Sequence, residues 1–265
     1  MHIVLTRPIE DSLELMRNLK IINHVVTHLP LINIKGILNK NINFDNCKGI
    51  IFTSANAIKF LNTKNISKNI VTVLGGVYAM ANPTRAMKDK NLDYVVIGEG
   101  EYVFKQLIGF YSGVCDLPER GICFRKDGTG ELENRGHSEF IKNLDDLPRP
   151  AYHLIDFLAY YNKYNDRKGV DRPATFPYVR IITSRGCPEK CSFCQVPSLQ
   201  GSYFRQRSPD NVCDEIEWLK KEYGIKAILF DDDNMFTNTK RGKALLRRMI
   251  AVSYTHLTLP TNREV

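Results

Sequence analysis

Thr183-Ser184-Arg185-Gly186-Cys187-Pro188-Glu189-Lys190-Cys191-Ser192-Phe193-Cys194 is the stretch that decides the reading of this chain. Its cysteines are spaced C-x3-C-x2-C, and they follow the strand-like run Tyr178-Val179-Arg180-Ile181-Ile182-Thr183. Three thiolates can hold three corners of a cubane iron–sulfur cluster, which leaves a fourth iron open to a substrate or cofactor. Other uses of cysteine fit less well. Isolated cysteines are most often buried small hydrophobes, but here three of seven fall within eight residues. A structural zinc site usually takes four ligands, often as paired C-x2-C knuckles. Only Cys191 and Cys194 form such a knuckle, and no second one follows. A disulfide would leave an odd cysteine and need an oxidising compartment.

This loop resembles the cluster loop of the radical S-adenosylmethionine (radical SAM) enzymes. The resemblance implies a partial or full (β/α) barrel whose first strand precedes the loop. It further implies a [4Fe–4S] cluster on Cys187, Cys191 and Cys194, with S-adenosyl-L-methionine chelating the open iron. An electron from the cluster would cleave the sulfonium and make a 5′-deoxyadenosyl radical. Phe193, before the last cysteine, would pack by the adenine. The protein supplies geometry and redox tuning, and the cofactor supplies the radical.

The residues after the loop agree with a barrel. Ser208-Pro209-Asp210 reads as a helix start: a capping Ser, Pro at the first helical position, then an acid suited to the helix dipole. Val212, Ile216 and Leu219 share one helical face, and Gly224 ends the helix. A buried strand is expected over residues 225–230, followed by the acidic turn Asp231, Asp232, Asp233 and Asn234. Barrel enzymes place their chemistry at that end of the strands. By resemblance, polar residues here meet the amino group of S-adenosylmethionine, and the Asp-Asp-Asp-Asn form is similar to that of the cobalamin-linked subgroup. A second helix is expected from about Lys240 to Ile250, with Ala244, Leu245 and Met249 as its apolar side. Lys240, Arg241, Lys243, Arg247 and Arg248 on it read as solvated.

Upstream, Val71-Thr72-Val73-Leu74-Gly75-Gly76 and Asp93-Tyr94-Val95-Val96-Ile97-Gly98-Glu99-Gly100 each read as a strand ending in a glycine turn. With Leu144-Asp145-Asp146-Leu147-Pro148-Arg149-Pro150, this order is similar to radical SAM proteins with a cobalamin-binding domain, which implies cobalamin as a further cofactor. No Asp-x-His-x-x-Gly motif occurs, and only about two strands of the five-stranded cobalamin sheet are expected. A hairpin is expected over residues 121–136, turning at Lys126-Asp127-Gly128-Thr129-Gly130. Tyr152, Tyr160, Tyr161 and Tyr164 read as linker packing against the barrel.

The first 69 residues differ. Met1-His2-Ile3-Val4-Leu5-Thr6-Arg7-Pro8 opens a strand, residues 9–20 read as a helix, and Gly49-Ile50-Ile51-Phe52-Thr53-Ser54-Ala55-Asn56-Ala57 reads as a strand turning into a helix. The Leu-Thr-Arg-Pro opening, Leu29-Pro30-Leu31 and Phe-Thr-Ser-Ala-Asn-Ala resemble the N-terminus of uroporphyrinogen-III synthase, a tetrapyrrole cyclase. There Arg7 and the Thr53 to Asn56 backbone would bind substrate carboxylates. The tail from Val252, including Ser253-Tyr254-Thr255-His256-Leu257-Thr258-Leu259-Pro260, breaks the helical pattern and is similar to translated sequencing-adapter read-through.

The expected architecture is therefore α/β: a partial flavodoxin-like half-domain (1–69), a cobalamin-domain remnant (70–110), a linker with a hairpin (111–175), the start of a radical SAM (β/α) barrel (176–251) and an artefactual tail (252–265). Such a composite, or chimeric, chain should show weak contact near residue 70. The implied parent reaction is radical methylation or another C–H functionalisation, with tetrapyrrole cyclisation, or a non-functional chimeric reading frame, as the alternatives. No catalytic acid or base is assigned. The implied partners are a small-molecule substrate and an electron donor such as flavodoxin or ferredoxin.

The chain has 43% hydrophobic and 25% charged residues, ordinary for a globular protein. No apolar run reaches the roughly 18 residues a membrane span needs. An oxygen-sensitive cluster and unpaired thiols fit a cytoplasmic location. The net charge of +8 comes without an aromatic-interleaved basic face, which argues against nucleic acid as partner. Cys47, Cys115, Cys123 and Cys213 are scattered and read as structural.

Overall fold

The structure is a computed structural model that describes residues 1–31, 35, 44, 46–60, 69–156 and 177–251. Tyr160, Tyr161, Tyr164 and the tail from residue 252 lie outside the described residues. The chain forms two units, one of residues 1–100 and 110–136, the other of residues 101–109 and 137–265.

The first unit begins with strand β1 (His2–Leu5), helix α1 (Ile9–Ile21) and strand β2 (Val25–His28). β1 and β2 pair in parallel from His2 opposite Val25 to Leu5 opposite His28. Leu13 of α1 is exposed, and no described residue of this βαβ element belongs to the unit's buried core cluster.

The core of the unit lies on a five-stranded sheet of order β3-β4-β5-β6-β7. β3 (Gly49–Phe52), β4 (Val71–Leu74) and β5 (Tyr94–Val96) are parallel, and β6 (Ile122–Arg125) and β7 (Leu132–Asn134) add an antiparallel hairpin. Helix α2 (Ala55–Phe60) follows β3, and the short helices α3 (Val77–Ala81) and α4 (Pro83–Ala86) lie between β4 and β5. The hairpin turns where the sequence places it: Gly130 N–H donates to Lys126 O at 3.0 Å, and Lys126 N–H to Glu131 O at 2.8 Å.

The weak contact expected near residue 70 is not what the structure has. β3 pairs with β4 along its whole length, from Gly49 opposite Val71 to Phe52 opposite Leu74. Phe52 and Ile58 share one apolar core with Leu74, Val95 and Cys123. Parallel pairing that buries apolar side chains against helices holds the two stretches as one sheet.

Helix α5 (Gly100–Tyr111) leads out of β5. The second unit contains strand β8 (Tyr178–Ile181), a short antiparallel pair β9 (Ser184–Arg185) and β10 (Arg205–Gln206), helix α6 (Val196–Gln200), helix α7 (Pro209–Tyr223), strand β11 (Ala227–Phe230) and helix α8 (Thr239–Ala251). β8 and β11 run parallel, Tyr178 opposite Ala227 through Ile181 opposite Phe230. They are two strands of a barrel that does not close among the described residues. Val179 and Ile181 of β8 and Phe230 of β11 pack against Val212, Ile216 and Leu219 of α7 and Leu245 and Met249 of α8.

α7 starts and stops as its sequence dictates. The Ser208 hydroxyl accepts from Asn211 N–H at 3.2 Å, Pro209 takes the first helical position, and Gly224 ends the helix with φ of 61°. Ala244, read as apolar face, is exposed, whereas Leu245 and Met249 are buried as expected. The structural role read for the scattered cysteines holds for buried Cys123 and Cys213, while Cys47 and Cys115 are exposed.

Leu219 is fully buried in the second unit's core. Leu219→Ala should lower stability by about 3 kcal/mol, and Ser208→Ala by about 1 kcal/mol. Urea unfolding followed by the fluorescence of Trp218, the chain's one tryptophan, checks both, since that ring packs against the same core.

Candidate metal and cofactor centre

The cysteine loop leaves the sheet at the C-terminal end of β8. Its first residue, Thr183, is buried and held from two sides. Asp232 Oδ1 accepts from Thr183 N–H at 2.9 Å, from Thr183 Oγ1 at 3.0 Å and from the Ser184 hydroxyl. From α8, the Arg241 guanidinium donates to Thr183 Oγ1 at 3.0 Å, to Thr183 O at 3.2 Å and to Arg207 O at 3.0 Å. Asp232 comes from the turn after β11, so the ends of both parallel strands are joined through one residue.

Gly186 has φ of 80°, and an added Cβ there would stand 2.9 Å from Gly201 O, with Tyr203 O nearer still. Only glycine fits this corner. Gly186 N–H donates to Gln200 Oε1 at 3.2 Å and Cys187 N–H to Gly201 O at 3.2 Å, so the loop's start is strapped to the segment after α6. Cys187 is buried at the base, Cys191 is exposed, Cys194 is half-buried, and Cys194 N–H donates to Cys191 O at 3.1 Å. Phe193, between them in the sequence, is 89% exposed.

All three thiols are free. Among the described residues, no three His, Cys, Asp or Glu side chains gather closely enough to hold a single metal ion. A lone zinc draws every thiolate to about 2.3 Å from one centre. A cubane takes each thiolate on a different iron, and the three free cysteines of this loop can supply such a donor set.

The acidic turn divides its labour. Asp231 pairs with Arg180 of β8 at 2.7 Å, both side chains half exposed. Asp232 is the half-buried member, and its buried Oδ2 has no hydrogen-bond partner among the described residues. Burial pushes the Asp232 carboxyl above its ordinary range, against the pull of the Ser184 and Thr183 bonds and the Arg241 charge. Asp233 is also raised, by burial and by the neighbouring Asp232 and Asp231 charges. Asn234 O accepts from Thr237 N–H at 3.3 Å, closing the turn.

Sequence reading missed two groups here. Arg241, read as solvated, is 6% exposed. The signal was present: 241, 245 and 249 recur at helical spacing, which puts Arg241 on the same face as buried Leu245 and Met249. Arg185, within the quoted loop, pairs with Glu101 at 2.5 Å. Burial raises the Glu101 carboxyl, but the Arg185 bond and charge outweigh it and hold the group below its ordinary value.

Two outcomes follow from this geometry. Gly186→Ala should cost more than about 1 kcal/mol, because the residue must leave positive φ and the backbone must move; thermal unfolding checks it. Asp232 holds its proton more tightly folded than unfolded, so between the ordinary value of 3.8 and its raised value its contribution to stability falls as pH rises. Asp232→Asn keeps an oxygen for Thr183 and Ser184 and removes that slope. Urea midpoints from pH 4 to 8 should therefore favour the variant progressively as pH rises across that window.

Residues 181–265 match the model of the Radical SAM superfamily. The chain is 35% identical over 180 residues to an uncharacterized methyltransferase of Pyrococcus horikoshii, covering 67% of this chain and 36% of that protein. It is 30% identical over 207 residues to the cytidylyl-2-hydroxyethylphosphonate methyltransferase of Streptomyces wedmorensis, covering 69% and 38%. The chain thus spans about a third of the length of these curated relatives. In fold it is similar to the cobalamin-dependent S-adenosylmethionine radical enzyme OxsB, with TM-score 0.61 and 16% identity over 97% of this chain and 38% of that one. It is also similar to the radical S-adenosylmethionine methyltransferase TsrM from Kitasatospora setae, with TM-score 0.55 and 18% identity over 95% and 51%. These likenesses lend nothing to the uroporphyrinogen-III synthase resemblance of residues 1–69 or to the composite-chain reading. The cysteine loop, the family match and the two parallel strands that carry the site agree: the stretch from residue 181 is a radical SAM domain.

Proposed function

We propose that this chain is part of a cobalamin-linked radical SAM enzyme that methylates, or otherwise functionalises, a C–H bond of a small molecule. Cys187, Cys191 and Cys194 hold a [4Fe–4S] cluster, and Phe193 with Asp231, Asp232, Asp233 and Asn234 receive S-adenosylmethionine. When bound, these cofactors supply the one-electron chemistry that cleaves the sulfonium.

The chain's own residues supply position. Asp232 and Arg241 fix Thr183, and Gly186 turns the backbone so that Cys187 sits buried while Cys191 and Cys194 remain accessible. Phe193 offers a solvent-facing ring for a nucleoside base to cover. Asp231 and Asp233 place negative charge near the loop, which suits an ammonium group. The observation that carries the reading is the C-x3-C-x2-C loop tied to the acidic turn at the C-terminal ends of adjacent parallel strands, where barrels keep their chemistry.

Support for cobalamin comes from the first unit. Strands β3, β4 and β5 are parallel, and ligands of open α/β sheets bind outside the carboxyl ends of such strands. Two of those ends carry glycines with positive φ, Gly76 at 88° and Gly98 at 102°. A Cβ on Gly76 would stand 3.0 Å from Thr53 O, so this turn is built for close backbone approach. The relatives that are methyltransferases by name support methyl transfer as the reaction. A small-molecule substrate and an electron donor such as flavodoxin or ferredoxin complete it, in the cytoplasm. No helix among the described residues is long and apolar enough to cross a membrane.

Anaerobic reconstitution with iron and sulfide tests the assignment. About four irons and four sulfides per chain are expected, with loss of most of both in Cys187→Ser, Cys191→Ser and Cys194→Ser. Zinc uptake in place of iron, or unchanged iron in the three variants, would overturn it.

A further inference from the structure

We infer that the second unit holds a separate binding cleft for a small anion, a phosphate or carboxylate carried on an apolar body. A cleft of about 560 Å³ opens beside β8, within the ~300–1,000 Å³ usual for ligand pockets. One wall is the stretch from Leu144 to Tyr152, and the floor is the end of β8, Arg180 and Ile181, with Ile182 just beyond it. Neither the three cysteines nor the acidic turn lines it.

Its charge is unbalanced. Arg149, Arg180, Arg185 and Arg207 face only Glu101 and Glu215. Arg207 pairs with buried Glu215 at 2.5 Å and Arg185 with Glu101 at 2.5 Å, so those four groups cancel. Arg180 has its partner, Asp231, outside the cleft lining, and water screens that half-exposed pair. Arg149 lies over the Trp218 ring at 5.2 Å, a cation–π contact. Arg149 therefore carries the excess, and Arg180 beside it can exchange its exposed Asp231 partner for a ligand; the planar fork of each matches a phosphate or carboxylate. Leu147, Pro148, Pro150 and Ile182 offer the apolar surface beside them.

The cleft is held ready rather than assembled on binding. Tyr152 Oη donates to Glu215 Oε1 at 2.9 Å, and Asp145 Oδ1 accepts from Ser208 N–H at 2.9 Å, so the wall is tied to α7 at two points. A preformed wall lowers the ordering cost of binding.

The chain's one tryptophan lies under Arg149 and serves as reporter. Phenyl phosphate titrated into the full chain, without iron, should give a saturable change in Trp218 emission, and its 31P line should broaden in parallel. Affinity should fall about tenfold in Arg149→Gln and in Arg180→Gln, and it should fall with added salt. Both side chains are exposed, so the fold survives their replacement, and the 31P line reads affinity where the Arg149 change itself alters emission. Benzyl alcohol should give no saturable change, and S-adenosylhomocysteine should not displace phenyl phosphate. The inference is overturned by no saturation at about 10 mM, by an equal response to benzyl alcohol, by unchanged affinity in both variants, or by displacement with S-adenosylhomocysteine. Since no cluster is present in this test, its failure and the failure of the cluster assignment are read separately.

Discussion

A half-buried carboxylate and a buried guanidinium close on one residue, Thr183, and the candidate site depends on that grip. Where β8 ends, the chain must leave the sheet without stranding its peptide groups. Asp232 takes the Thr183 N–H and hydroxyl, and Arg241 gives to the same hydroxyl and to the carbonyl. Each of the two would be costly to bury alone. Together they satisfy the strand end and fix the direction in which the cysteine loop departs.

That grip also explains how few residues suffice to build the site. β8 and β11 are adjacent and parallel, so their C-terminal ends fall side by side. One end carries the thiols, the other the acids, and Gly186 and Gln200 set the height of the loop above the sheet. α7 and α8 cover the far face with Val212, Ile216, Leu219, Leu245 and Met249, and this leaves the loop side open. Apolar support thus lies against one face of the strands, and the polar chemistry lies beyond their C-terminal ends.

Much of this was legible in the sequence, for identifiable reasons. Ser208, Pro209 and Gly224 act through the local backbone, so α7's ends could be read without knowing its neighbours. The hairpin turn and the β8, α7, β11 order were local in the same sense, whereas β9, β10 and α6 left no such signal. Arg241 was not legible by type, because residue type says solvent and only its spacing from Leu245 and Met249 says core. The pairing of Arg185 with Glu101 spans 84 residues and leaves no periodic trace. Residue 70 misled for a related reason: two stretches with different motif resemblances looked unconnected, yet the register of β3 on β4 and the shared burial of Phe52 and Leu74 are tertiary facts. The division of Asp231 and Asp232 into a surface partner and a half-buried anchor likewise follows from strand pairing, which an acidic run does not encode.

The central claim is that three thiolates leave one iron open beside the acidic turn. Electron–nuclear double resonance on the reduced, reconstituted chain with 15N-labelled S-adenosylmethionine addresses it most directly. The account predicts a nitrogen coupling to the cluster that vanishes when the labelled cofactor is left out. A fully loaded cluster whose spectrum does not change on adding the cofactor would contradict it.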